Sequence, residues 1–107
     1  MFNKYKWLKE QTESLKEYIN YEVAHGNTVD YSDLQEQLHN DIDRDVIYYS
    51  DCWDICKELA EVTEWDKMEL GPITSLQQLA YASLYEFANE NLDLEEILET
   101  TVGEANL

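Results

Sequence analysis

Apolar residues recur along this chain three and four positions apart, the helical spacing, and no stretch alternates with the two-residue period of a strand. Trp7, Leu8, Leu15, Tyr18, Ile19 and Val23 predict a first helix over residues 4–24, with Gly26 placed as a C-terminal cap. "NTVDYSD" reads as a turn. Ser32 with Gln35 three residues on has the form of a capping box opening a second helix through Leu34, Leu38 and Ile42. A third helix is expected from about 46 to 62, capped by Asp45, with Tyr49, Cys52, Trp53, Ile55, Cys56 and Leu59 as its apolar candidates. Gly71-Pro72 in "EWDKMELGPI" is the clearest break. Beyond it, Thr74 with Gln77 or Ser75 with Gln78 can open a fourth helix carrying Leu76, Leu79, Ala80, Ser83, Leu84 and Phe87. That pattern either runs on through Leu94, Ile97 and Leu98 or breaks between Asn89 and Asp93. The expectation is a compact all-α fold of four to five helices, one domain of 107 residues.

Charge changes this picture more than composition does. The 24 acids against 7 Lys and Arg give a formal charge of −17, enough to raise the question of disorder. Leu, Ile, Val and Phe make up about a quarter of the chain, above the roughly 20% below which highly charged chains stay unfolded. Eight tyrosines and three tryptophans add large buried areas, so folding is expected. Residues 1–16 carry four lysines and two acids, while eight acids and no basic residue follow Met68. Such a surface repels nucleic acid and anionic membranes and favours a basic partner. A solvated face kept for solubility is the competing reading. "MFNKYKWLKE" lacks the apolar run of a signal peptide and no stretch reaches transmembrane length, so the expected setting is a cytoplasm.

Residues 39–51, "HNDIDRDVIYYSD", begin like a calcium loop, with aspartates alternating at 41, 43 and 45. The sixth position should be glycine and the twelfth glutamate; here they are Val46 and Cys52, which fails both tests. Glu36-x-x-His39 is half of a di-iron motif without its second half. Cys52 and Cys56 are four apart, neither a zinc nor a redox spacing, and no basic cluster stands near to activate them. Phosphate loops, nucleophile elbows and H-E-x-x-H are absent from the sequence. Neither catalysis nor a cofactor is expected.

What remains is acids spaced three or four apart: 10, 13 and 17; 33 and 36; 51, 54, 58 and 61; 86 and 90. At about 1.5 Å rise per residue these carboxylates stand roughly 4.5–6 Å apart along helix faces. Duplex DNA carries one charge per about 1.7 Å, so the net charge of −17 equals that of about 29 Å of duplex. The physics permits DNA mimicry without requiring it.

"DLQEQLHNDIDRDVIYYSD" resembles a segment of the phage antirestriction DNA-mimic family, the overcome-classical-restriction type, at Leu38, His39, Asp43, Val46, Tyr48, Tyr49 and Asp51. "MELGPI" and "LYEFANENLDLEEILE" are similar to that family's turn and closing acidic helix, at Leu70, Gly71, Pro72, Leu84, Tyr85 and Glu86. Ile47 stands where the family usually has proline, and the connection after Gly71-Pro72 is shorter. The resemblance implies an all-α homodimer in the host cytoplasm that occupies the DNA groove of a type I restriction–modification enzyme or a related defence system, with no direct nucleic-acid or membrane binding. It also implies phosphate-mimicking roles for Asp33, Glu36, Asp41, Asp43, Asp45, Asp51, Asp54 and Glu58. Glu86, Glu90, Asp93, Glu95 and Glu96 would extend that set. Trp53, flanked by Cys52, Ile55 and Cys56, is the expected dimer contact, and Tyr48 and Tyr49 are expected to pack. An acidic adaptor for a basic protein that need not bind DNA, and an anti-CRISPR, are the alternatives.

Self-repulsion at −17 has a measurable consequence. The screening length falls from about 30 Å at 0.01 M salt to about 10 Å at 0.1 M, which relieves repulsion between acids on one small body. The melting temperature is expected to rise as sodium chloride is added over that range; a fall would contradict this.

Overall fold

The computed structural model describes residues 2–60 and 75–105. These residues hold five α-helices: α1 Lys4–Ala24, α2 Tyr31–Asp45, α3 Tyr49–Leu59, α4 Leu76–Asn91 and α5 Leu94–Ala105. The fold is all-α as expected, with no strand among the described residues.

The helix ends follow from local chemistry. Asn3 caps α1 by accepting from the backbone N–H groups of Tyr5 and Lys6. At its other end Gly26 adopts φ 76°, which a side chain resists, and Gly26 N and Asn27 N bond back to Val23 O and Glu22 O. The second helix opens two residues before the expected Ser32. Asp30 is its cap, and Asp30 and Asp33 exchange side-chain and backbone hydrogen bonds at 2.9 and 3.0 Å. This is the same reciprocal box two residues earlier, built from aspartates.

The third helix begins at Tyr49, not at 46, and Asp45 does not cap it. Val46–Tyr48 form a corner whose Val46 carbonyl accepts from Cys52 Sγ at 3.2 Å and from Gln77 Nε2 at 3.0 Å. That carbonyl ties the ends of α2 and α3 to α4. The expected extension to Val62, the Gly71-Pro72 break and Thr74 lie outside the described residues. Ser75 is the cap of α4 and accepts from Gln78 N. The later acidic stretch breaks at extended Leu92, and Asp93 accepts from Glu96 N to open α5. Leu92 packs against both halves of the core, which fixes the break there.

Packing divides into two apolar clusters along a body of 45 × 26 × 21 Å. One joins Trp7 of α1, Leu38 and Ile42 of α2, Cys52, Ile55, Cys56 and Leu59 of α3, and Ala80, Leu84, Phe87 and Ala88 of α4. The other joins Leu15 and Ile19 of α1, Leu34 of α2 and Leu94 of α5. Among the described helices only α1 and α2 take part in both clusters through their buried faces, running antiparallel. α3 packs chiefly on α4, and α5 chiefly on α1.

Between α1 and α2 runs a polar seam. Asp41, only 3% exposed, accepts from Ser14 Oγ at 2.9 Å and Gln37 Nε2 at 3.3 Å. Gln11, also buried, turns its amide nitrogen to Asp41 Oδ2 at 3.0 Å and its oxygen to Trp7 Nε1 at 3.3 Å. Trp7 Nε1 also donates to Asp45 Oδ2 at 2.8 Å. Arg44 Nη2 stands 3.6 Å from Asp41 Oδ1 and supplies the countercharge. Removing such a carboxylate strands its buried donors. Asp41→Ala is expected to lower the unfolding free energy by roughly 2–4 kcal/mol in urea titration. Glu36→Ala, on the exposed face of the same helix, should change it little; equal losses would contradict the seam.

Candidate partner-binding surface

The alternating aspartates are parted by the helix that carries them. Successive residues turn about 100°, so alternate ones point about 200° apart. Asp41 and Asp45 face α1, while Asp43 faces solvent. Asp41 is therefore no surface phosphate mimic, because its oxygens are spent on Ser14, Gln37 and Gln11. Asp45 is half-buried against Trp7.

The other acids divide by what holds them. Asp33 accepts the Asp30 backbone N–H and Asp93 that of Glu96, each at the start of a helix, which holds one carboxylate oxygen against the backbone. Glu58 pairs with Lys4 Nζ at 3.1 Å, bridging α3 to α1. Glu36, Asp43, Asp51, Glu90, Glu95 and Glu96 are exposed, and Asp54 and Glu86 half-exposed. Glu10, Glu13 and Glu17 of α1 and Glu99 and Glu104 of α5 are exposed as well. The three- and four-residue spacing of Glu10, Glu13 and Glu17, and of Glu99 after Glu95 and Glu96, marks solvent-facing rows, which is the signal that adds them to the expected set; Glu104 lacks it.

The expected dimer face fares differently. Cys52, Ile55 and Cys56 are buried in the chain's own core, so they are unavailable to a second copy. They face α4, and that helix supplies the apolar partner that α3 requires. Trp53 points the other way and is 52% exposed. Tyr48, expected to pack, is 68% exposed beside exposed Ile47. The side chain of Tyr49 lies outside the described residues.

Burial also governs the thiols: it pushes Cys56 up to about 11, helped by Cys52, and raises Cys52 with help from Asp51. Neither is a ready thiolate at neutral pH. His39 lies in the groove between α2 and α4, stacked on Tyr85 with ring centroids 4.6 Å apart and hydrogen-bonded through Nδ1 to Tyr81 Oη. Burial, then the nearby Asp43, raises the Tyr81 phenol. His39 thus joins two helices rather than facing a carboxylate pair. Among the described residues no three His, Cys, Asp or Glu side chains converge to hold a metal ion, and no helix is long and apolar enough to cross a membrane.

Among the concavities, one brings four acids together with three rings. A cleft of about 330 Å³ lies between the start of α1 and the α2–α3 corner, lined by Phe2, Trp7 and Tyr48 and by Glu10, Asp45, Asp51 and Asp54. The chain matches no protein-family model, no curated protein and no solved structure.

Asp45 gives the surface a pH signature. Burial raises its carboxyl above the usual 3.8, and Asp41 and Glu10 add to this against the Trp7 hydrogen bond and Arg44. A raised folded pKa means the native state holds the proton more tightly. Its stabilising effect is full below 3.8 and is lost as pH rises through the higher folded value. Asp45→Asn keeps an oxygen for Trp7 but cannot titrate. Its stability–pH curve is expected to fall less than the parent's through that window in urea titrations; parallel curves would contradict the assignment.

Proposed function

We propose that this chain is a stoichiometric DNA-mimic inhibitor that occupies the DNA-binding groove of a host defence enzyme, a type I restriction–modification enzyme being the first candidate. The observation that carries the reading is the distribution of exposed acids over an elongated helical body. A length of 45 Å matches about 13 base pairs of duplex, which would carry about 26 phosphates. The net charge of −17 supplies about two thirds of that density. Glu36 and Asp43 on α2, Asp51 and Asp54 on α3, Glu86 and Glu90 on α4, and Glu95 and Glu96 on α5 stand in for the phosphates, and no bond is made or broken. Asp33, Glu58 and Asp93 contribute charge from positions fixed by local bonds. In this reading two copies meet at Trp53 alone, since its intended neighbours serve the core.

Exposed Ile47, Tyr48 and Trp53 favour a second reading, an acidic adaptor that docks a basic protein through rings as well as charge. An anti-CRISPR would share the first mechanism.

A mimic acts through a summed field. Exposed ion pairs are each worth about 0.2–1 kcal/mol, so Glu36→Gln, Asp43→Asn, Asp51→Asn or Asp54→Asn alone should weaken inhibition only a few-fold. All four together should lose roughly the product, and affinity should drop as salt rises. The assay is protection of DNA from a target recovered from bacterial lysate. Loss of all activity in one single variant that keeps its fold contradicts the mechanism.

A further inference from the structure

We infer that the cleft between the start of α1 and the α2–α3 corner is a receptor for one arginine side chain of a partner protein. The inference rests on the decoy reading only for what the partner is; the cleft chemistry stands on its own residues. Four carboxylates, Glu10, Asp45, Asp51 and Asp54, face about 330 Å³ of open space, ample for a guanidinium and its stem. Against them the described lining holds one cation, Arg44, already drawn toward Asp41 at 3.6 Å and Asp45 at 4.0 Å, and Lys6 outside the lining stands 4.0 Å from Glu10, which leaves Asp51 and Asp54 as the carboxylates for an incoming cation. Among the described residues no Lys or Arg stands within ion-pair distance of Asp51 or Asp54. These two lie three apart in the first turns of α3, on neighbouring positions that a forked donor can span.

The walls select the kind of cation. Phe2 and Trp7 pack with ring centroids 6.3 Å apart, Ile55 adds a buried apolar surface, and Tyr48 stays 68% exposed at the rim. A guanidinium is flat, weakly hydrated and stacks on rings, whereas an ammonium is compact and strongly hydrated. A diffuse acidic field attracts both alike; an acidic cleft with aromatic walls prefers arginine. The exposed Tyr48, which no internal packing explains, is accounted for as the lid of that stack.

The test titrates the isotopically labelled full chain with a blocked Gly-Arg-Gly peptide and its Gly-Lys-Gly counterpart at matched ionic strength. The Trp7 indole N–H, which lines the cleft and bonds Asp45, is the NMR readout. Arginine is expected to shift it with at least about five-fold higher affinity than lysine, by the stacking and fork geometry of guanidinium. The double variant Asp51→Asn with Asp54→Asn should abolish the preference and Tyr48→Ala should reduce it. Glu99→Gln with Glu104→Gln, exposed on α5 and away from the cleft, should leave it unchanged. Equal affinity for the two peptides on the unaltered chain overturns the inference whatever the variants do. An equal loss in the α5 variant overturns it too. Because no DNA-binding protein is present, an arginine preference in a chain that fails to protect DNA overturns the decoy reading alone.

Discussion

The buried carboxylate of Asp41 is the point on which the rest of the molecule depends. Among the described helices α1 and α2 alone run through both apolar clusters, and apolar contacts specify the register of one helix along the other less strictly than buried polar ones. The hydrogen bonds that cross from Ser14 and Gln11 of α1 to Asp41 of α2 fix it, since a shift of one turn would leave the buried Gln11 amide and the Asp41 carboxylate without their partners. The seam therefore sets the register in which α3 and α4 close one end and α5 the other. It also decides which acids are available to a partner. Two of three neighbouring aspartates are turned inward to hold the scaffold, and the third is left outside.

The sequence carried α1 and its glycine cap to the residue, because a long apolar stripe and a Gly at the right offset admit one reading. It was ambiguous where two boxes overlapped: Ser32/Gln35 and Asp30/Asp33 both satisfy the capping pattern, and packing of Leu34 and Leu38 beneath the helix does not distinguish them. The start of α3 departs from the apolar pattern for a different reason. Val46 continues the apolar period of α2, and only the hydrogen bonds from Cys52 and Gln77 to its carbonyl reveal a corner.

The surface was less legible than the core. A count of acids does not separate Asp41, sealed under Ser14, from Asp43, two residues away and open to solvent. Cys52, Ile55 and Cys56 looked like a surplus apolar face because their partners on α4, from Ala80 to Ala88, lie far along the chain. Gln11 had no signal at all, being a polar residue at a core position whose partner is on another helix. Once these are sorted, the exposed acids fall on every helix, which suits a field spread over a body better than a focused site. The cleft at Asp51 and Asp54 sets four carboxylates beside the rings of Phe2, Trp7 and Tyr48.

The most direct measurement of the central claim is a competition isotherm. A complex of the chain with its basic target, purified from a bacterial lysate, is titrated with a labelled duplex of about 13 base pairs, the length the body would replace. The decoy account predicts mutually exclusive binding: the apparent affinity for DNA falls in proportion to the chain added, without a plateau. A ternary complex, or a plateau at saturating chain, would show that the chain docks elsewhere on its target and would contradict the account.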